Sequence, residues 1–189
     1  MKTLILAAIR CSLMFTAVVG FSLACPAKAN LITNGGFETG DFTGWTVSGS
    51  AGVVGVDIVP PHSGAFQAAS FVNTVMLIQN VTTTTGASYV VDFWLAGRGP
   101  AVFSILWGGS FIFFQAFGDE RSDYTEHKFA LTASSATTEL EFRSSILDGV
   151  ILLDDVRVTA ARPVPDGGST VSLLGFALVG LTTVRRKLS

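Results

Sequence analysis

Val150-Ile151-Leu152-Leu153-Asp154-Asp155-Val156-Arg157-Val158-Thr159 reads as a β-strand with two acids at its centre. Its length and its wealth of branched apolar residues suit a pleated, largely buried strand. On strict alternation Leu152, Asp154, Val156 and Val158 share one face, and Leu153, Asp155 and Arg157 share the other. Asp154 then lies on the more apolar face, where a carboxylate needs a partner. No Lys or Arg is an obvious one. Two compensations fit the residue type: a calcium ion, which also draws on backbone carbonyls, or backbone N–H donors at a strand end.

Outward from that run the pattern repeats. Stretches of strand length, rich in Val, Thr, Phe and Ser and separated by Gly, Asn and Asp, fall at 52–59, 65–71, 75–81, 88–96, 101–107, 111–117, 124–131 and 138–144, with 150–159 as the ninth. No helical stripe interrupts them. The expectation is one all-β domain over residues 30–162, an antiparallel sandwich of two sheets. Gly109-Ser110 is expected at the centre of a tight hairpin after Trp107.

Both ends of the chain are apolar and are set apart from the domain. Lys2 and Arg10 flank an apolar region over residues 4–24, and Ala27-Lys28-Ala29 follows. A basic start, a greasy helix and an A-x-A site are the parts of a secretory signal peptide spanning residues 1–29, so the mature chain is expected to begin at Asn30 after Sec export and signal peptidase cleavage. A retained anchor, or lipid attachment at Cys25, is the alternative. Cys11 and Cys25 both precede the cut, leaving the mature chain without a thiol and excluding disulfides, zinc-thiolate sites and a cysteine nucleophile. Residues 30–165 hold six Lys and Arg against eight Asp and five Glu, a net charge of −7. An acidic exported domain with no basic stripe has no footprint for nucleic acid.

At the other end, Val164-Pro165-Asp166-Gly167-Gly168-Ser169-Thr170 precedes an apolar segment over 171–184, expected to form a short hydrophobic helix, and a basic tail over 185–189. Pro and paired Gly keep the motif extended, and terminal cations stay on the cytoplasmic side of a membrane. The segment is short for a full span. These features resemble the PEP-CTERM sorting signals, in the variant whose motif reads V-P-D-x-G. The resemblance covers residues 163–189 and implies processing by the membrane protease exosortase. It also implies an intermediate anchored at the inner membrane, then delivery to the cell surface or the extracellular polysaccharide matrix.

Asn30-Leu31-Ile32-Thr33-Asn34-Gly35-Gly36-Phe37-Glu38-Thr39-Gly40-Asp41-Phe42-Thr43-Gly44-Trp45, with His62-Ser63-Gly64 and Asp154-Asp155-Val156 further on, resembles the jelly-roll carbohydrate-binding modules of the galactose-binding-like superfamily. That resemblance implies a jelly-roll form of the sandwich and a structural calcium ion. The implied ligands are the Gly36 carbonyl, the Glu38 carboxylate, the Gly64 carbonyl and the Asp154 carboxylate.

Trp45, Trp94, Trp107, Tyr89 and Tyr124 are the rings able to stack on a pyranose. Trp45 and Trp94 read as core residues. Trp107, at a strand end beside Gly108 and Gly109, is the one expected to meet ligand. Phe111-Ile112-Phe113-Phe114 lacks clean alternation, so at least one ring should point away from the core. Catalysis has little support: His62 lies in a turn, His127 reads as a solvated strand residue, and Asp119/Glu120, Asp123/Glu126 and Glu139/Glu141 are ordinary acidic pairs. The sequence favours a non-catalytic surface protein that contacts polysaccharide. A structural matrix protein without ligand and a small glycoside hydrolase are the alternatives.

Overall fold

A computed structural model describes residues 29–56 and 60–161. The signal peptide, the Val164–Thr170 motif and both expected terminal helices lie outside the described residues.

The described residues form eight strands: β1 (Thr46–Gly55), β2 (Phe66–Thr82), β3 (Ser88–Arg98), β4 (Ala101–Trp107), β5 (Ser110–Phe117), β6 (Thr125–Thr132), β7 (Thr137–Ile146) and β8 (Val150–Ala160). All pairings are antiparallel, in the order β5-β4-β7-β2-β8-β3-β6, with β1 also on β2. The expected segments 65–71 and 75–81 are one strand rather than two. Asn73 sits at their junction with φ +61°, a left-handed conformation that Asn tolerates better than most residues. There β2 changes partner, from β8 (Ala68–Ser70) to β7 (Asn73–Thr82). β1 follows it around the corner through register shifts at Ser48/Ser50 and Ser50/Ala51. The two layers are therefore one sheet curled on itself through β2, in a jelly-roll arrangement.

The layers enclose a core in which Phe37, Phe93, Phe142, Leu140, Ile105, Val81, Val91, Val156 and Val158 are buried. Phe142 meets Phe93 edge-on at 5.1 Å and stacks with Phe103 at 5.8 Å. The stretch before β1 makes turns rather than a strand, and it is stitched to β8. Leu31 N donates to Val158 O and Val156 N to Gly35 O, while Asn30 Oδ1 accepts from Val158 N. A Cβ on Gly35 would stand 2.0 Å from Val156 O, so only glycine fits there.

The hairpin between β4 and β5 turns on Gly108-Gly109, not Gly109-Ser110. Trp107 pairs with Ser110, and both glycines have the positive φ that a tight two-residue turn demands.

Candidate functional site

Strict alternation fails in β8, and the failure builds the site. Asp92 faces Arg157 and Trp94 faces Asp154, so three residues of β8 span two of β3. The extra residue is Asp155, with φ +50°. This bulge shifts the phase of the strand. Leu153 faces the core before it and Val156 and Val158 face the core after it, whereas Leu152 packs outside with Ala69 and Ala96. Asp154 therefore shares the outer face with Leu152 and Trp94, rather than a face with Val156 and Val158.

Asp154 is nonetheless fully buried, at 0% exposure, because the turn over residues 62–66 lies on it. Its Oδ2 accepts from Ser63 N at 3.1 Å and its Oδ1 from Asp155 N at 2.7 Å. Glu38 grips the same turn, its Oε1 accepting from Ala65 N and Phe66 N at 3.0 Å. Gly64 has φ +64°, and a Cβ there would come within 2.2 Å of Glu38 Oε1. A Cβ on Gly36 would lie 3.9 Å from Asp154 Oδ1. Gly36, Glu38, Gly64 and Asp154, far apart in sequence, thus converge where the first turns, the 62–66 turn and β8 meet.

Backbone N–H donors occupy both carboxylates, but they do not fully compensate Asp154. Desolvation pushes its pKa up to about 6, the Ser63 and Asp155 N–H bonds oppose that rise, and the neighbouring Asp155 charge adds to it. A hard cation is one compensation that a carboxylate so placed can take.

Two further residues belong to this cluster, both within the quoted motifs but neither expected to act there. His62 Nδ1 lies 2.7 Å from Asp155 Oδ2, and its ring stacks on Trp94 at 3.7 Å. Ligand atoms of His62, Asp154 and Asp155 all fall within 4.8 Å of one another. Strict alternation sends Asp155 to the opposite face, which hides the group. Tyr124 closes the side, its hydroxyl donating to Gln67 Oε1.

Trp94 is therefore a half-buried outer-face residue, not a core one. Trp107 reverses in the opposite sense. It is 4% exposed, its Nε1 donates to Thr132 O at 3.1 Å, and its ring sits 6.1 Å from Tyr89. Alternation in β4 sends Phe103, Ile105 and Trp107 inward, and the loop after β6 covers the strand end, so Trp107 offers no open ring face. Trp45 is buried against Phe37. His127 faces inward as well, between Phe93 and Phe113, and burial lowers its pKa.

Exposed rings occur instead on the outer face of β5. Ile105 pairs with Phe113 but Leu106 with Phe111, so Ile112 is an extra residue. This second bulge turns Ile112 and Phe113 toward the core and leaves Phe111 and Phe114 outward, 64% and 53% exposed. Cross-strand pairing sets Phe114 in one row with Ser104, Arg143 and Met76, and Phe111 in the next with Leu106, Glu141 and Ile78. Arg143 Nε and Nη2 both reach Glu141 Oε1, at 2.9 and 2.7 Å. Two open rings on β5 thus share the outer face with the Arg143–Glu141 pair, which stands two strands away on β7.

Residues 163–188 match the VPDSG-CTERM motif. The chain carries that sorting motif. Among curated proteins none matches by sequence. Solved structures share the fold. A CBM61 module, TmCBM61, solved with β-1,4-galactotriose, superposes with a TM-score of 0.61 at 20% identity, over 71% of this chain and 100% of its own. The CBM22-1 xylan-binding domain of Xyn10C from Paenibacillus barcinonensis gives 0.56 at 14% identity, over 73% and 98%. The Stig cyclase Fisc from Fischerella sp. TAU gives 0.55 at 14% identity, over 73% and 100%. The fold is thus that of carbohydrate-binding modules, and it also hosts enzymes.

Proposed function

We propose that this chain is an exported protein of the cell surface or extracellular matrix whose domain, residues 30–162, binds polysaccharide without catalysis. The observation that carries the reading is the pair of open rings, Phe111 and Phe114, on the outer sheet face that also carries the Arg143–Glu141 pair. Such rings stack on the C–H face of a pyranose, and the guanidinium edge donates to its hydroxyls. Export runs through Sec and signal peptidase at the 1–29 segment, and exosortase acts on the 163–189 tail, first holding the domain at the inner membrane. Asn30 supports a cut after Ala29. Its side chain accepts from Ile32 N and Val158 N and donates to Val156 O, so a cut there keeps the residue that ties the start of the domain to β8.

Calcium, held by Gly36, Glu38, Gly64 and Asp154, has a structural role in this reading. It neutralises the desolvated Asp154 and ties the first turns and the 62–66 turn to β8.

Galactan and xylan, the ligand classes named for the two modules, are the first probes. Affinity electrophoresis of the full-length protein in mild detergent should show retardation by at least one of them. Phe111→Ala should weaken it by about tenfold, or roughly 1.4 kcal/mol, and leave the melting temperature in place. Unaltered binding by Phe111→Ala moves the site off this face. Absence of binding to any matrix polysaccharide leaves the structural-protein alternative.

A further inference from the structure

Both exits of the chain lie at one pole of the sandwich. Residues 31–35 run antiparallel to β8, with Val156 N donating to Gly35 O and Leu31 N to Val158 O, so the chain before Asn30 departs beside the end of β8. β8 ends at Ala160, and Ala161 N donates to Ser88 O at the same pole. Bonds from Gly86 N to Ala133 O, Thr83 N to Ala136 O and Gly108 N to Glu139 O gather the other turns around them. The apolar segments over 4–24 and 171–184 therefore join the domain from one side.

That pole is chemically unlike the rest of the domain. Residues 30–31, 82–88, 108–110, 132–138 and 159–161 are Asn, Leu, Thr, Ser, Gly and Ala, without a charged side chain, in a region that carries −7. The first charges met along the chain on leaving it are cations, Lys28 on one side and Arg162 on the other. The opposite pole, where Gly99 N donates to Gly118 O and Leu147 N to Pro100 O, gathers Arg98, Asp119, Glu120, Arg121, Asp123 and Asp148. We infer that the neutral pole rests on the membrane surface, against the headgroups of a bilayer containing anionic lipid. The contact depends on the proposed hold of residues 163–189 on the inner membrane.

Reach rules out the inverted stance. Residues 162–170 separate Ala161 from the apolar segment and span at most about 32 Å fully extended. The headgroup layer takes about 5–7 Å of that reach. β8 has 11 residues and is about 35 Å long, so the opposite pole stays beyond the tether. Charge disfavours lying flat. One outer face brings Glu139 and Glu141 against anionic headgroups and the other brings Asp92 and Glu126, whereas the pole brings no carboxylate. Its exposed Thr84, Thr85, Ser134 and Ser135 hydroxyls can donate to phosphate oxygens. The strands then stand along the membrane normal, and the outer face of β5 opens sideways, clear of the bilayer.

The test uses the full-length protein carrying Cys11→Ser and Cys25→Ser, reconstituted into vesicles of phosphatidylglycerol and phosphatidylethanolamine. A fluorophore on Thr85→Cys, at the neutral pole, should be quenched several-fold more by a headgroup-linked quencher than one on the exposed Leu147→Cys at the opposite pole. Adding Ser134→Glu should cut the Thr85 quenching, and Ser134→Lys should keep it, with both variants as stable as the parent. Equal quenching at the two poles, or quenching unaltered by Ser134→Glu, overturns the inference. Flotation with the vesicles is read first. A chain that fails to float refutes the hold on the membrane and the contact with it, whereas one that floats with equal quenching refutes the contact alone.

Discussion

Replacing Asp154 by Asn tests whether the buried carboxylate is a strained anion awaiting a cation. The folded pKa is about 6 against an ordinary 3.8, and one unit corresponds to about 1.36 kcal/mol, so the ionised form is disfavoured by about 3 kcal/mol. Because the folded value lies above the unfolded one, this contribution to stability is complete below pH 4. It declines as pH rises and is gone above pH 6. In chelator, the parent protein should therefore lose up to about 3 kcal/mol between pH 4 and 6.5 through this group, and Asp154→Asn should lack that decline. The amide can accept only one of the two N–H bonds from Ser63 and Asp155, which costs about 1–2 kcal/mol, so the net gain at pH 7 is about 1–2 kcal/mol. Calcium at a hundred times its dissociation constant should restore about 2.7 kcal/mol to the parent and much less to the variant. Denaturant unfolding with and without calcium measures all of this. His62 and Asp155 are retained in both proteins, so the comparison between the two reads the change at Asp154. Parallel pH profiles in chelator would refute the desolvation argument, and a calcium response unaltered by the substitution would remove Asp154 from the ligand set.

Gly64→Ala should destabilise by about 3 kcal/mol. The left-handed φ of +64° disfavours any side chain, and the new methyl displaces the Glu38 carboxylate from Ala65 N and Phe66 N. A loss under about 0.5 kcal/mol in chemical denaturation would show the turn to be loosely held. His127→Phe should stabilise. The ring lies among Phe93 and Phe113 with its Nε2 buried and unpartnered, and burial lowers its pKa. A lowered histidine pKa makes a contribution that is complete above the ordinary 6.5 and lost on acidification. The variant should therefore gain about 1 kcal/mol at pH 7 and more at pH 5, read from unfolding midpoints at the two values.

The sequence revealed the strands more readily than their joins and their phase. Apolar runs of strand length located six of the strands closely, β3 to β8. Asn73 read as a break, because a left-handed Asn inside a continuous strand looks like a turn until its partners on both sides are known. β1 begins at Thr46 rather than at 52, since Gly49 and the small polar residues around it carry no β signal of their own. Gly36, Glu38, Gly64 and Asp154 were legible as a group only through the resemblance of their motifs, and the structure brings them together. The meeting of His62 and Asp155 with Asp154 was not legible, because one inserted residue reverses every side chain after it and no local pattern marks where an insertion falls. Trp94 and Trp107 exchange places for a different reason: regular alternation in β3 and β4 sets Trp94 outside and Trp107 inside, against what the apolar run around one and the paired glycines beside the other suggest.

The two bulges act on stability in opposite senses. Without the bulge at Asp155, Asp154 would share the face of Val156 and Val158 and enter a core of Phe93, Phe103 and Phe142, where an unpaired carboxylate is prohibitive. A left-handed residue costs about 1–2 kcal/mol, so this irregularity relieves the fold. The bulge at Ile112 does the reverse. Strict alternation from the inward Phe113 would send Phe111 inward and Ile112 outward. The observed bulge buries the smaller residue and leaves the ring 64% exposed, forgoing part of the roughly 1.5–3 kcal/mol that burying a phenylalanine contributes. Folding does not ask for that exposure. An irregularity that works against the core and sets a second ring, Phe111, outward beside Phe114 is best explained by what the open face contacts, which is why glycan is proposed at the β5 face rather than at the carboxylate cluster.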